Sequence, residues 1–154
     1  MDPLFAFAVK EEILRNVLKT HRTLLLSGWH GTGKTTTALK TGLETGGVAY
    51  CSEAGNGIPF PVDQDKEDIV VVRGFSERES APPDRLLIVD DVTQVTPPLV
   101  SLLGDEGDGR KVIIITTVLV AVKELLSRVD AVVRFKHTTA ELLHSRLHDL
   151  HARN

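Results

Sequence analysis

The chain has 154 residues, 42% of them apolar and 25% charged, with a formal net charge of −3. That length suits one domain able to bury a core, and the charge excludes a uniformly basic nucleic-acid binder. The single cysteine, Cys51, excludes an internal disulfide, no apolar run is long enough to cross a membrane, and Met1-Asp2-Pro3 lacks the positive start of a secretory signal, so a cytoplasmic protein without a membrane partner is the expectation.

Residues 4–19 place Leu4, Val9, Ile13, Leu14, Val17 and Leu18 at spacings that predict an amphipathic helix. A strand is predicted over 23–27. Next comes Gly28-Trp29-His30-Gly31-Thr32-Gly33-Lys34-Thr35, the pattern G-x-x-x-x-G-K-[ST], and a helix then runs to about residue 44, ended by Gly46-Gly47. Strand, glycine loop and helix together make the pattern a phosphate site. Gly28, Gly31 and Gly33 let the backbone curl so that amide N–H groups converge, and the helix N-terminus adds its positive end. Lys34 reaches the β- and γ-phosphates and Thr35 offers its hydroxyl to Mg²⁺, with Thr32 and Thr36 completing the cradle. Trp29 and His30 stand at variable positions and read as loop filler.

Further strands are predicted over 48–51 and 69–73, with polar, Gly- and Pro-containing loops over 53–67 and 74–84. Leu86-Leu87-Ile88-Val89 is a buried strand that ends in Asp90-Asp91. Pro97-Pro98 opens a helix over 99–103, 105–109 is a turn, 112–116 is a strand, 119–127 a helix, 131–135 the last strand and 139–151 a C-terminal helix. Continuous apolar strands alternating with helices predict a parallel sheet covered on both faces, with ligand at the carboxyl ends of the strands. Asp90 then stands where a rigid carboxylate can hold the Mg²⁺ shell. Asp91, pointing elsewhere by strand alternation, can polarise the attacking water. Thr117, or its neighbour Thr116, can bond that water or the γ-phosphate if the strand over 112–116 lies between the loop strand and the Asp90 strand.

These segments, with Leu125-Leu126-Ser127-Arg128-Val129-Asp130, resemble the AAA+ ATPases, and most of all their clamp-loader, replication-initiator and helicase-loader branches. The likeness runs from about residue 4 to 135. It implies an α/β, three-layer P-loop NTPase sandwich with a mostly parallel five-stranded sheet, as a single domain over 1–154. It implies an Mg-ATP site that hydrolyses ATP, with Gly28, Gly33, Lys34 and Thr35 as Walker A residues, Asp90 and Asp91 as Walker B acids, and Thr117 as first sensor. Ser127-Arg128 matches the start of the clamp-loader Ser-Arg-Cys motif, whose arginine reaches a neighbouring subunit's ATP. Arg128 in that role requires a homo-oligomer or a partner. Nucleic acid enters as a partner by family analogy alone. ATP is preferred over GTP by the resemblance and because no N-K-x-D guanine motif occurs. Where the family carries a helical lid, residues 136–154 offer one helix, read as a vestigial lid.

Two other readings stay open. A small-molecule or nucleoside kinase suits the size, but its Arg-rich lid is not matched by the acidic stretch Asp105-Glu106-Gly107-Asp108-Gly109-Arg110. A non-hydrolysing assembly module would bind nucleotide only to fix a partner surface. His144, His148 and His151 share one predicted helix face and read as a polar surface rather than a zinc set. Cys51 reads as a small core residue at a strand end.

Overall fold

Period-two alternation in the strands divides the core into two layers. The computed structural model describes residues 3–29, 33–54, 69–72, 85–104 and 110–135, with the side chains of 3–10, 70 and 72 excepted. In chain order these form α1 (Pro3–Thr20), β1 (Thr23–Gly28), α2 (Lys34–Glu44), β2 (Val48–Ser52), β3 (Ile69–Val72), β4 (Leu86–Asp90), α3 (Pro97–Leu103), β5 (Val112–Thr116), a 3₁₀ segment (Leu119–Ser127) and β6 (Ala131–Phe135). The strands make one sheet in the order β3-β2-β4-β5-β1-β6, and every pairing is parallel.

The fold is therefore the expected α/β sandwich with a parallel sheet, but six strands pair where five were expected. The short β3 adds the outer rung, held among the described residues through β2.

Within each strand, alternate positions feed opposite faces. Leu24, Leu26, Val48, Tyr50, Leu86, Ile88, Ile113 and Ile115 pack with Leu14 and Leu18 of α1 and Ala38 and Leu39 of α2. Leu25, Ala49, Cys51, Leu87, Val89, Val112 and Ile114 pack with α3 and with Val122 and Leu125 of the 3₁₀ segment. β1, β2, β4 and β5 are buried on both sides, which is why these segments read as apolar runs, whereas β6 exposes alternate positions. Cys51 is 3% exposed and belongs to this core, as its place in the sequence suggested.

Two local expectations change. Ile13 does not join the apolar stripe of α1 but is 46% exposed, whereas Leu14 and Leu18 turn inward. The segment Leu119–Ser127 is 3₁₀, not α, and is broken by non-helical backbone at Val122. β-Branched residues at 120 and 122 crowd a helical turn, and burying Val122 and Leu125 takes precedence over regular hydrogen bonding.

Residues 30–32, the predicted loops over 55–67 and 74–84, the turn over 105–109, and the C-terminal helix with its three histidines lie outside the described residues. Among the described residues no helix is long and apolar enough to cross a membrane, and no cluster of His, Cys, Asp or Glu is arranged to hold a metal.

Candidate functional site

β1 lies inside the sheet, paired on one side with β5 and on the other with β6. The glycine loop therefore leaves from the carboxyl end of a strand held along both edges. Gly33 closes the loop as the N-cap of α2 at φ 83°, ψ 19°. This is the left-handed region, where a side chain is strained and glycine is not.

Lys34 opens α2 and is only 5% exposed. Its Nζ donates to the carbonyls of Gly28 and Trp29, both at 2.8 Å, so the ammonium lies folded over the loop backbone. The Trp29 side chain projects outward, 59% exposed. Thr36 is half-buried on the first turn of α2. Gly31 and Thr32 lie outside the described residues.

β4 brings the acids to the same edge. Asp90 follows Leu86 and Ile88 in parity, so its side chain faces α2 rather than α3. Its Oδ2 accepts from Thr35 Oγ1 at 2.7 Å and from the Tyr50 hydroxyl at 2.7 Å. Its Oδ1 accepts from the Asp91 backbone N–H at 2.8 Å. The carboxylate is 5% exposed and fully engaged. Burial, reinforced by the Asp90 hydrogen bond and charge, pushes the Tyr50 phenol far above its ordinary value, so it acts only as a donor.

Strand alternation does not govern Asp91, contrary to the simple expectation. β4 ends at Asp90, and Asp91 takes φ 57°. A short polar side chain tolerates this left-handed conformation better than most. The turn swings its carboxylate toward β2, where Oδ2 accepts from Ser52 Oγ at 2.6 Å.

β5 lies between β4 and β1, the position the sensor reading requires. Of its two terminal threonines, Thr116 is buried at 1%. Its hydroxyl donates to the Val92 carbonyl at 2.7 Å and accepts from the Val118 N–H at 3.1 Å, so it serves the turn. Thr117 is exposed at the same end of the strand. Arg128 is elsewhere. It follows the 3₁₀ segment as its C-cap, with its backbone N–H on Leu125 O. β6 begins three positions later, pairing Ala131 with Leu24 at the start of β1. Arg128 thus sits at the opposite edge of the sheet, roughly five strand residues or about 16 Å from the loop of its own chain. Its side chain, exposed, makes no hydrogen bond or ion pair among the described residues.

Lys34, Thr35, Asp90, Asp91 and Thr117 are therefore gathered at one edge, and Arg128 is not. Tyr50 and Ser52 belong to this group and were not anticipated. The hydroxyls at positions 50 and 52 share one strand face, but only the pairing of Tyr50 with Ile88 and Ser52 with Asp90 makes them neighbours of the acids. Oxygen donors at Thr35 and Asp90 suit a hard cation such as Mg²⁺. The Thr35 proton is committed to Asp90, which leaves its lone pairs for a metal.

No family model matches the chain, and no curated protein matches it. Among solved structures it is similar to Bacteroides sp Pif1 in complex with ADP-AlF4, at 13% identity and a TM-score of 0.49, over 84% of this chain and 42% of that one. It is also similar to a Pif1 helicase from a study of unwinding at forked dsDNA by two coordinating Pif1 helicases, at 15% identity and 0.48, over 83% and 43%. Unliganded Pif1 from Bacteroides sp follows at 15% identity and 0.45, over 84% and 41%. The chain spans less than half the length of each of these structures.

Proposed function

We propose that the chain is an AAA+-like P-loop NTPase that binds Mg-ATP and hydrolyses it to ADP and phosphate, fully active only beside a second copy or partner that supplies an arginine. The observation that carries this reading is the 2.7 Å bond from Thr35 Oγ1 to Asp90 Oδ2, which joins the two halves of a nucleotide site across 55 residues of chain.

On binding, Lys34 exchanges the Gly28 and Trp29 carbonyls for phosphate oxygens, where its charge is worth more. Thr35 and Asp90 would hold Mg²⁺, which would supply neutralisation of the negative charge that develops on the phosphates. Asp91 orients a water and takes its proton as the new P–O bond forms and the bond to the bridging oxygen of ADP breaks. Thr117, at the open end of β5, offers a hydroxyl to the γ-phosphate or the water. Arg128, remote from its own loop, acts on a neighbour's site.

Phosphate release from Mg-ATP by the wild type, Lys34→Ala, Asp91→Asn and Arg128→Ala, read with the oligomer mass, tests this. Release that survives Lys34→Ala sinks the site. The Ser52–Asp91 bond favours a second reading, in which Asp91 is a fixed strut and the chain binds ATP to assemble without turnover. Nucleotide-dependent assembly with no phosphate released in any oligomer selects it.

A further inference from the structure

Tyr50 is the chain's only tyrosine, 1% exposed on β2. A phenylalanine would fill the same volume, so packing does not call for a phenol here. Among the described residues the hydroxyl donates to one partner, Asp90 Oδ2, at 2.7 Å. That oxygen already receives the Thr35 hydroxyl at 2.7 Å, and Oδ1 receives the Asp91 N–H at 2.8 Å.

A carboxylate rotates in a broad, two-fold well about its last bond. Three donors from three elements remove that freedom: one from α2, one from β2 and one from the turn after β4. The α2 donor is the one that must also face a cation. Without a second donor on Oδ2, the carboxylate can turn its plane, and the Thr35 hydroxyl turns with it. We propose that Tyr50 is a positioning residue for the cation site. By sharing Oδ2 with Thr35, it fixes the Asp90 plane so that the Thr35 lone pairs stay aimed at the metal. This rests on the Mg-ATP reading above. Tyr50 touches neither nucleotide nor metal; it acts through Asp90, as partners behind metal ligands do.

Tyr50→Phe is the test. ATP binding is measured in EDTA, then again as Mg²⁺ is titrated in. Binding in EDTA is expected within about twofold of wild type, because Lys34 and the loop amides are untouched. The Mg²⁺ concentration for half-maximal effect is expected to rise about tenfold, the lower end of what loss of an outer-shell partner costs. Wild-type Mg²⁺ dependence in Tyr50→Phe, with ATP binding intact, overturns the proposal and leaves the NTPase reading standing. Absence of ATP binding by the wild type in both EDTA and Mg²⁺ overturns that reading and the proposal with it.

A measurement on the unaltered chain covers the case in which Tyr50→Phe does not fold. As the only tyrosine, Tyr50 gives the whole tyrosine Raman signal. A strong-donor signature is expected, perturbed by Mg-ATP and unchanged by ATP in EDTA. A signature indifferent to Mg²⁺ in the ATP-bound chain overturns the proposal.

Discussion

Lys34 is bonded to the loop that presents it: its ammonium sits 2.8 Å from the Gly28 carbonyl, six residues back. The loop's own carbonyls satisfy the buried charge. Lys34→Ala is expected to weaken ATP binding by roughly tenfold to a hundredfold, the loss of about 1.5–3 kcal/mol in charge-assisted hydrogen bonds. Isothermal titration with ATP checks this.

Asp91, the proposed proton acceptor, has left-handed backbone at φ 57°. Asparagine tolerates that backbone, so Asp91→Asn is expected to fold as stably as wild type while kcat falls by about 10²–10⁴ with little change in KM. Asp91→Ala adds a stability loss of about 1 kcal/mol, since alanine lacks the local hydrogen bonding that offsets the strain. Steady-state kinetics beside urea melts separate the two effects. Equal kcat in wild type and Asp91→Asn removes Asp91 as the base.

Arg128 caps a 3₁₀ turn through its backbone alone, so Arg128→Ala should leave the melt unchanged. Turnover of concentrated chain is expected to fall by about 10³ or more, the worth of an arginine supplied in trans. A mixture of Arg128→Ala and Lys34→Ala should regain activity, because each supplies what the other lacks. A mixture as inactive as its components argues against action between copies.

Much of the geometry of this candidate site was legible in the sequence, and what was hidden lay beyond local pattern. The strand over 112–116 was readable because it is a β-branched run stopped by polar residues, and that over 131–135 because Val132 and Val133 follow a turn. Asp90 was readable because it ends such a run. Tyr50 and Ser52 became neighbours of the acids only through the register of β2 on β4, a pairing across some forty residues of chain that no local pattern encodes. The swing of Asp91 was hidden for a related reason: alternation holds only while the strand lasts, and β4 stops one residue earlier. The 3₁₀ character of Leu119–Ser127 was masked by an apolar spacing that fits a helix equally well.

Gly42 faces the sheet from α2. A Cβ there would lie 2.3 Å from Val48 Cγ2 and 3.0 Å from Leu86 Cδ2. Valine in a strand has little freedom to turn away. Gly42→Ala gains about 1 kcal/mol in helix propensity but overpacks by about 1–3 kcal/mol, so a net loss is expected. Combining it with Val48→Ala should cost less than the sum of the two single changes. Urea midpoints decide, and strict additivity would show that the contact is not felt.

Asp130 ties the far edge of the sheet, its Oδ2 accepting from the N–H groups of Arg22 at 3.0 Å and Thr23 at 3.1 Å. The Thr23 backbone bond leads in holding this carboxyl below its ordinary value. A depressed folded value means that its stabilisation is present above the unfolded carboxylate range, near pH 4, and is lost as the pH falls through the lower folded value. The group is exposed, so solvent screening limits the effect to under about 1 kcal/mol. Wild type is expected to exceed Asp130→Asn in urea midpoint at pH 7, with the gap closing as the pH falls below the unfolded carboxylate range. A gap independent of pH would assign the effect to shape rather than charge.

The turn after β4 is clamped from both flanks. On one side the Glu53 N–H donates to Asp90 O at 2.9 Å, beside the Tyr50 and Ser52 hydroxyls. On the other, Val92 donates its N–H to Ile115 O at 3.1 Å and accepts from Thr116 Oγ1. The two acids therefore form an anvil rather than a hinge. In the proposed Mg-ATP site, any movement on nucleotide binding is then expected on the Lys34 side rather than at the two acids. The carboxylate side, bonded from both β2 and β5, has the least slack to give.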